Sequence, residues 1–124
     1  MSEFMFYNPN PKGIKATDCV IRALCKFTGF GWYQVHVELC EFSRNLGRTQ
    51  TDMKVVEYFL ERHGLAKKMN IRNKDNTRLK VKDLIGDKTV LCRLAGHLVC
   101  YSNGYHYDLY DCGGKSIYKA WVRK

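Results

Sequence analysis

The chain has 124 residues, 45% of them hydrophobic and 13% aromatic, a composition that suits one folded domain and excludes a disordered segment. Its formal net charge of +9 leaves an anionic partner open. No apolar run approaches the ~20 residues of a membrane span, and the N-terminus lacks a charged head before an apolar stretch, so a cytoplasmic setting without membrane contact is expected.

Residues 1–16 hold Asn8, Pro9, Asn10, Pro11 and Gly13, which forbid a regular helix and predict an irregular lead-in. A helical half follows over 17–64. Its first helix is expected to be capped by Thr17, with Asp18 and Cys19 in the first turn. On a helical wheel Val20, Ile21, Leu24 and Phe27 fall on one side, with Cys25 near them. Cys19, Arg22 and Lys26 fall on the other, so Cys25 reads as structural and Cys19 as presented. A second helix is expected over about 32–45, burying Val35, Leu39 and Phe42, with Gly47 after its end. The third begins at Thr51-Asp52 and stops at His63 before Gly64, with Met53, Val56, Phe59 and Leu60 as its stripe.

Residues 65–87 form a basic connector with one short helical turn near Val81–Ile85. Lys67, Lys68, Arg72, Lys74, Arg78, Lys80 and Lys82 have only Asp75 for acidic company there. This segment reads either as an anion-binding patch for nucleic acid or an acidic protein, or as a solvated loop. No helix-turn-helix, zinc finger or stacking-platform motif accompanies it, which gives the solvated-loop reading at least equal weight.

From residue 88 the period changes to that of strands. Thr89–Leu94, His97–Tyr101, Tyr105–Tyr110 and Ser116–Val122 predict an antiparallel sheet of about four strands over 88–124. Asn103-Gly104 is the strongest hairpin signal, because a two-residue turn of this kind needs positive φ at both positions. The fold class is therefore α+β.

The six cysteines (19, 25, 40, 92, 100 and 112) lack an export signal and are expected to be reduced. No Cys-x-x-Cys pair is present. Cys92, His97, Cys100, His106 and Cys112 alternate along strands instead of forming a zinc knuckle, so neither a metal nor a cofactor is expected.

The chemistry-bearing pattern is a cysteine at a helix start, then Gly96-His97 opening a strand, then a carboxylate on the hairpin partner. A two-residue Asn103-Gly104 turn pairs Ser102 with Tyr105, Val99 with Asp108 and His97 with Tyr110. Asp108 then shares a face with His97. A one-residue slip would bring Asp111 there instead. A helix N-terminus and a neighbouring imidazolium lower a thiol pKa, the histidine can move protons, and a carboxylate orients its ring. The Cys19 backbone N–H with an upstream amide, Asn10 or Asn8, is the expected oxyanion hole. Taken singly, each residue also has an ordinary structural role. His36, His63 and His106 show no comparable setting in the sequence.

With Asn8-Pro9-Asn10-Pro11-x-Gly13, Asp18-Cys19-Val20-Ile21-Arg22-Ala23-Leu24, Gly96-His97-Leu98-Val99 and Tyr107-Asp108, the chain resembles small papain-like cysteine peptidase-type proteins encoded by phages and their bacterial hosts. The order is also similar to the peptidase domain of bacteriocin-processing transporters, although Gly13 stands where those carry a glutamine upstream of the cysteine. The resemblance implies a papain-like fold spanning 1–124, Cys19 as nucleophile, His97 as base and acid, Asp108 as orienting residue and Asn10 as oxyanion donor. It implies a thiol hydrolase, a peptidase or isopeptidase working through an acyl-thioester on a protein or peptide, in the bacterial cytoplasm if phage-encoded. An acyl transferase is the nearest variant. The rivals are a non-catalytic binder, such as a phage inhibitor of a host protein, and a nucleic-acid binder using 67–82.

Overall fold

The change of period near residue 88 marks where three helices give way to the main body of a sheet. A computed structural model describes residues 1–124. The elements, in chain order, are β1 (Glu3–Phe6), α1 (Cys19–Thr28), α2 (Trp32–Leu46), α3 (Met53–His63), β2 (Ala66–Lys68), a 3-10 turn (Val81–Asp83), β3 (Thr89–Leu94), β4 (His97–Ser102), β5 (Tyr105–Asp108) and β6 (Lys119–Arg123). The α+β class stands. The sheet has six strands in the order β1-β5-β4-β3-β6-β2 and is mixed, where four antiparallel strands were expected.

Both extra strands lie in segments expected to be irregular. β1 runs parallel to β5, pairing Phe6 with Asp108, and β2 pairs Lys68 with Trp121. Each is short and exists because a distant strand offers an open edge, a non-local cause that periodicity does not register. The four expected strands are otherwise present, with the return strand ending at Asp108 and the last running Lys119–Arg123. Asn103 and Gly104 take φ of 47° and 98°, and Ser102 faces Tyr105, as a two-residue turn requires.

Two layers of core follow from strand alternation. Leu91, Leu98, Cys100 and Trp121 face the helices and pack with Leu24, Phe27, Leu39, Val56 and Phe59. Val90, Cys92, Leu94, Val99 and Tyr101 face the opposite way and are covered by Val81, Leu84, Cys112 and Ile117, with Met69, Ile71 and Leu79 at the margin. The basic connector is thus a covering layer. Met69, Ile71, Leu79, Val81 and Leu84 point in, Ile85 is exposed, and so are all seven of its lysines and arginines.

Two details of α1 differ from the wheel. Asp18, not Thr17, occupies the cap position, and its side chain does not bond the helix N–H groups. Arg22, placed on the solvent side by periodicity, is 3% exposed. A charge buried this deeply must be paired, and its partners define the site.

Candidate active site

Helix α1 begins at Cys19 against β4, whose first residue is His97. Gly96, at φ 63°, turns the chain directly before His97, a conformation a side-chain-bearing residue resists. The first intrahelical bond runs from the Arg22 N–H to the Asp18 carbonyl at 2.9 Å, leaving the N–H groups of Cys19, Val20 and Ile21 without helix acceptors. The positive end of the helix therefore lies at the thiol.

The three residues singled out from the sequence meet here. His97 lies beside the Cys19 thiol on the wall of one cleft, and its Nε2 lies 2.5 Å from Asp108 Oδ2. Asp108 is fully buried and also accepts the Leu109 N–H at 2.7 Å. Its Oδ1 pairs with Arg22 Nη2 at 3.1 Å. Arg22 Nη1 lies 2.7 Å from Asp18 Oδ1, and Asp18 Oδ2 accepts the Trp32 Nε1–H at 2.9 Å. The Tyr110 ring stacks on His97 with centroids 5.5 Å apart. A chain of charges thus runs Cys19–His97–Asp108–Arg22–Asp18.

This ordering fixes the protonation states. Burial opposes the Cys19 thiolate, but the hydrogen bonds from His97 and from the Leu98 backbone N–H, with the charges of His97 and Arg22, outweigh it and hold the thiol below its ordinary value of 9.0. Burial likewise disfavours the imidazolium. The bond and charge of Asp108, with bonds to Cys112 and Cys19, overcome it and push His97 up to about 12. Asp108 is held below the usual carboxylate range, because its bond and charge interaction with His97 outweigh desolvation. These directions favour a thiolate–imidazolium pair with a carboxylate behind it. Cys25, by contrast, is pushed up to about 12 by burial, and Cys92 and Cys100 are raised for the same reason.

Cys19 and His97 open onto a cleft of about 380 Å³ lined also by Val20, Thr51, Met53, Arg93, Leu94 and Leu98. No family model, curated protein or solved structure matches this chain. The reading of the site rests on its geometry.

The remaining sequence expectations divide. Asn10 does not line the cleft. Its side-chain oxygen accepts the Lys12 N–H at 2.9 Å in a local turn, and Asn8 donates to the Ile14 carbonyl at 3.2 Å. Asp111 bonds His106 Nε2 at 2.7 Å and not His97, because β5 keeps the two-residue register. The other histidines have partners of their own. His106 Nδ1 meets Ser2 Oγ at 2.7 Å, His63 meets Glu38 at 2.6 Å, and His36 faces Cys40 at 3.9 Å, whose sulfur also accepts from Gln50 at 2.8 Å.

Sequence reasoning missed three participants. Arg22 was readable, since Asp18 and Arg22 stand four apart in an otherwise apolar helix. The Leu98 N–H and Cys112 carry no local signal. Cys112 arrives from the segment after β5, buried at 2% exposure. Burial, together with its bond to Asp108 and the charge there, keeps its thiol raised against the lowering effect of His97. His97, Asp108 and Cys112 bring a nitrogen, an oxygen and a sulfur within 4.8 Å of one another, the donor set of a borderline-soft ion such as zinc. Holding an ion there means breaking the His97–Asp108 bond. Of the zinc ligands considered from sequence, only His97 and Cys112 come together in this set.

The exposed lysines and arginines of 67–82 form no part of this cleft. Arg78 stacks on Tyr118 at 4.6 Å, and Arg72 donates to the Asn76 carbonyl at 3.1 Å. No helix is long and apolar enough to cross a membrane.

Proposed function

We propose that the chain is a papain-like thiol hydrolase, a peptidase or isopeptidase, with Cys19 as nucleophile. The observation that carries this reading is the convergence of Cys19, His97 and Asp108, with His97 bonded to Asp108 at 2.5 Å and the thiol at the start of α1 on the wall of an open cleft. The Cys19 thiolate attacks the substrate carbonyl carbon, and the carbonyl oxygen takes up the negative charge. The free Cys19 N–H at the helix start and the Thr51 hydroxyl in the same cleft are donors for that oxyanion.

His97 then gives its proton to the departing amine, leaving an acyl-thioester on Cys19. As base it next takes a proton from water, whose hydroxide attacks the thioester. The acid leaves and the thiolate–imidazolium pair returns. Asp108 orients His97 through Nε2 and stabilises its charge throughout, as a triad carboxylate does. If an amine resolves the thioester in place of water, the same steps give acyl transfer.

Incubation of a proteome-derived peptide library with the protein, followed by mass spectrometry of new peptide termini, tests the assignment. The wild-type protein is expected to create termini that Cys19→Ala does not. Identical digests from the two proteins would contradict it.

A further inference from the structure

The cleft beside Cys19 has a wall that a plain apolar pocket does not need. Val20, Met53, Leu94 and Leu98 supply apolar surface, no aspartate or glutamate lines it, and Arg93 brings a guanidinium. Arg93 is exposed, and its side chain has neither an ion-pair nor a hydrogen-bond partner in the protein. By strand alternation it shares the helix-facing side of β3 with Leu91, and its β4 partner is Leu98, which lines the same cleft as Cys19. An arginine therefore stands where the sheet emerges from under the start of α1.

A second observation is independent of the cleft. The β6 partner of Arg93 is Lys119, a like-charge pair directly opposite each other, which destabilises a sheet. The nearby carboxylate, Glu57, is taken by Lys119 at 3.4 Å and does not neutralise Arg93. The thiolate draws on His97 and Arg22 for its stabilising charges, so Arg93 is not spent there either. What remains is an uncompensated planar fork of N–H donors, a shape that matches a carboxylate in two parallel bonds.

We infer that Arg93 is a specificity-determining residue that binds a carboxylate on the substrate close to its reacting carbonyl. This rests on the hydrolase reading of Cys19. The carboxylate is that of an acidic side chain or of a free chain end.

The test is alkylation of Cys19 in the intact protein, followed by mass spectrometry, with anionic iodoacetate and neutral iodoacetamide. In both reactions the thiolate displaces iodide and forms a thioether, so only the charge of the reagent differs. The iodoacetate-to-iodoacetamide rate ratio is expected to fall about fivefold in Arg93→Gln, to persist in Arg93→Lys, and to shrink with added salt. Fast labelling by iodoacetamide with an unchanged ratio in Arg93→Gln overturns this inference alone. Slow labelling of Cys19 by both reagents overturns the nucleophile and the inference with it. Two probe pairs name the source. Arg93-dependent preference for acetyl-alanyl-glutamyl over acetyl-alanyl-glutaminyl chloromethyl ketone assigns a side chain. Preference for bromoacetyl-alanine over bromoacetyl-alaninamide assigns a chain end, and no preference in either pair counts against a carboxylate subsite.

Discussion

Arg22 Nη2 stands 3.1 Å from Asp108 Oδ1 while its Nη1 stands 2.7 Å from Asp18 Oδ1. One guanidinium thereby ties the helix that starts at Cys19 to the strand that ends at Asp108. All three side chains are buried, so each charge depends on the others. Arg22→Ala leaves two buried carboxylates short of a partner and is expected to destabilise the fold by about 3 kcal/mol or more. Chemical denaturation measures it. A change of less than about 1 kcal/mol would show that the charges are well solvated without Arg22.

The pKa directions fix the pH profile of stability. Asp108 is lowered on folding, so its contribution is full above the ordinary value of 3.8 and is lost as pH falls through its lower folded value. Burial holds Cys25, Cys92 and Cys100 protonated above the ordinary 9.0, where the unfolded chain loses those protons first. Stability therefore falls as pH rises beyond about 9. Between the limbs the raised His97 loses its contribution as pH climbs above 6.5, while the lowered Cys19 gains its contribution as pH rises through its folded value toward 9.0, so the two slopes oppose each other. Denaturation midpoints from pH 3 to 11 check this. A slope between 6.5 and 9 that Cys19→Ala leaves unchanged would contradict the ion pair.

Cys112 sits within 4.8 Å of both His97 and Asp108, yet burial raises its thiol pKa and favours the neutral form. Cys112→Ala removes that thiol from beside the His97–Asp108 pair and is expected to slow Cys19 alkylation near pH 6 by about two- to fivefold, the size of one neutral hydrogen bond. Native Cys112 itself is expected to resist alkylation. Rapid labelling of Cys112 ahead of Cys19 would reverse the roles assigned to the two thiols.

Asn10 lies outside the cleft, with its side-chain oxygen engaged in its own turn. Asn10→Ala is therefore expected to leave the rate of Cys19 acylation by a peptide thioester unchanged within about twofold, whereas loss of an oxyanion donor costs about a hundredfold or more. Single-turnover acylation distinguishes the two.

The parts of this arrangement that were legible were local. Asn103-Gly104 sets the β4–β5 register, and that register puts Asp108 beside His97. The helix stops at Gly47 and Gly64 were readable for the same reason. Contacts made at long range were not. β1 is four exposed residues that become a strand only on the edge of β5, and Cys112 reaches His97 only after the segment following β5 folds back. Arg22 lay between these cases. Its place on the wheel opposite the apolar stripe sent it to solvent, yet pairing with Asp18 and Asp108 brings it inside.

The central claim, a thiolate on Cys19 sustained by His97 and Asp108, is tested most directly by alkylating the native protein across pH and reading each cysteine by mass spectrometry. Cys19 is expected to label about tenfold or more faster than Cys40 near pH 6, and to lose that advantage in His97→Ala and in Asp108→Asn. Labelling of Cys19 no faster than Cys40 or Cys112, and only as pH nears the ordinary thiol value of 9.0, would contradict the account.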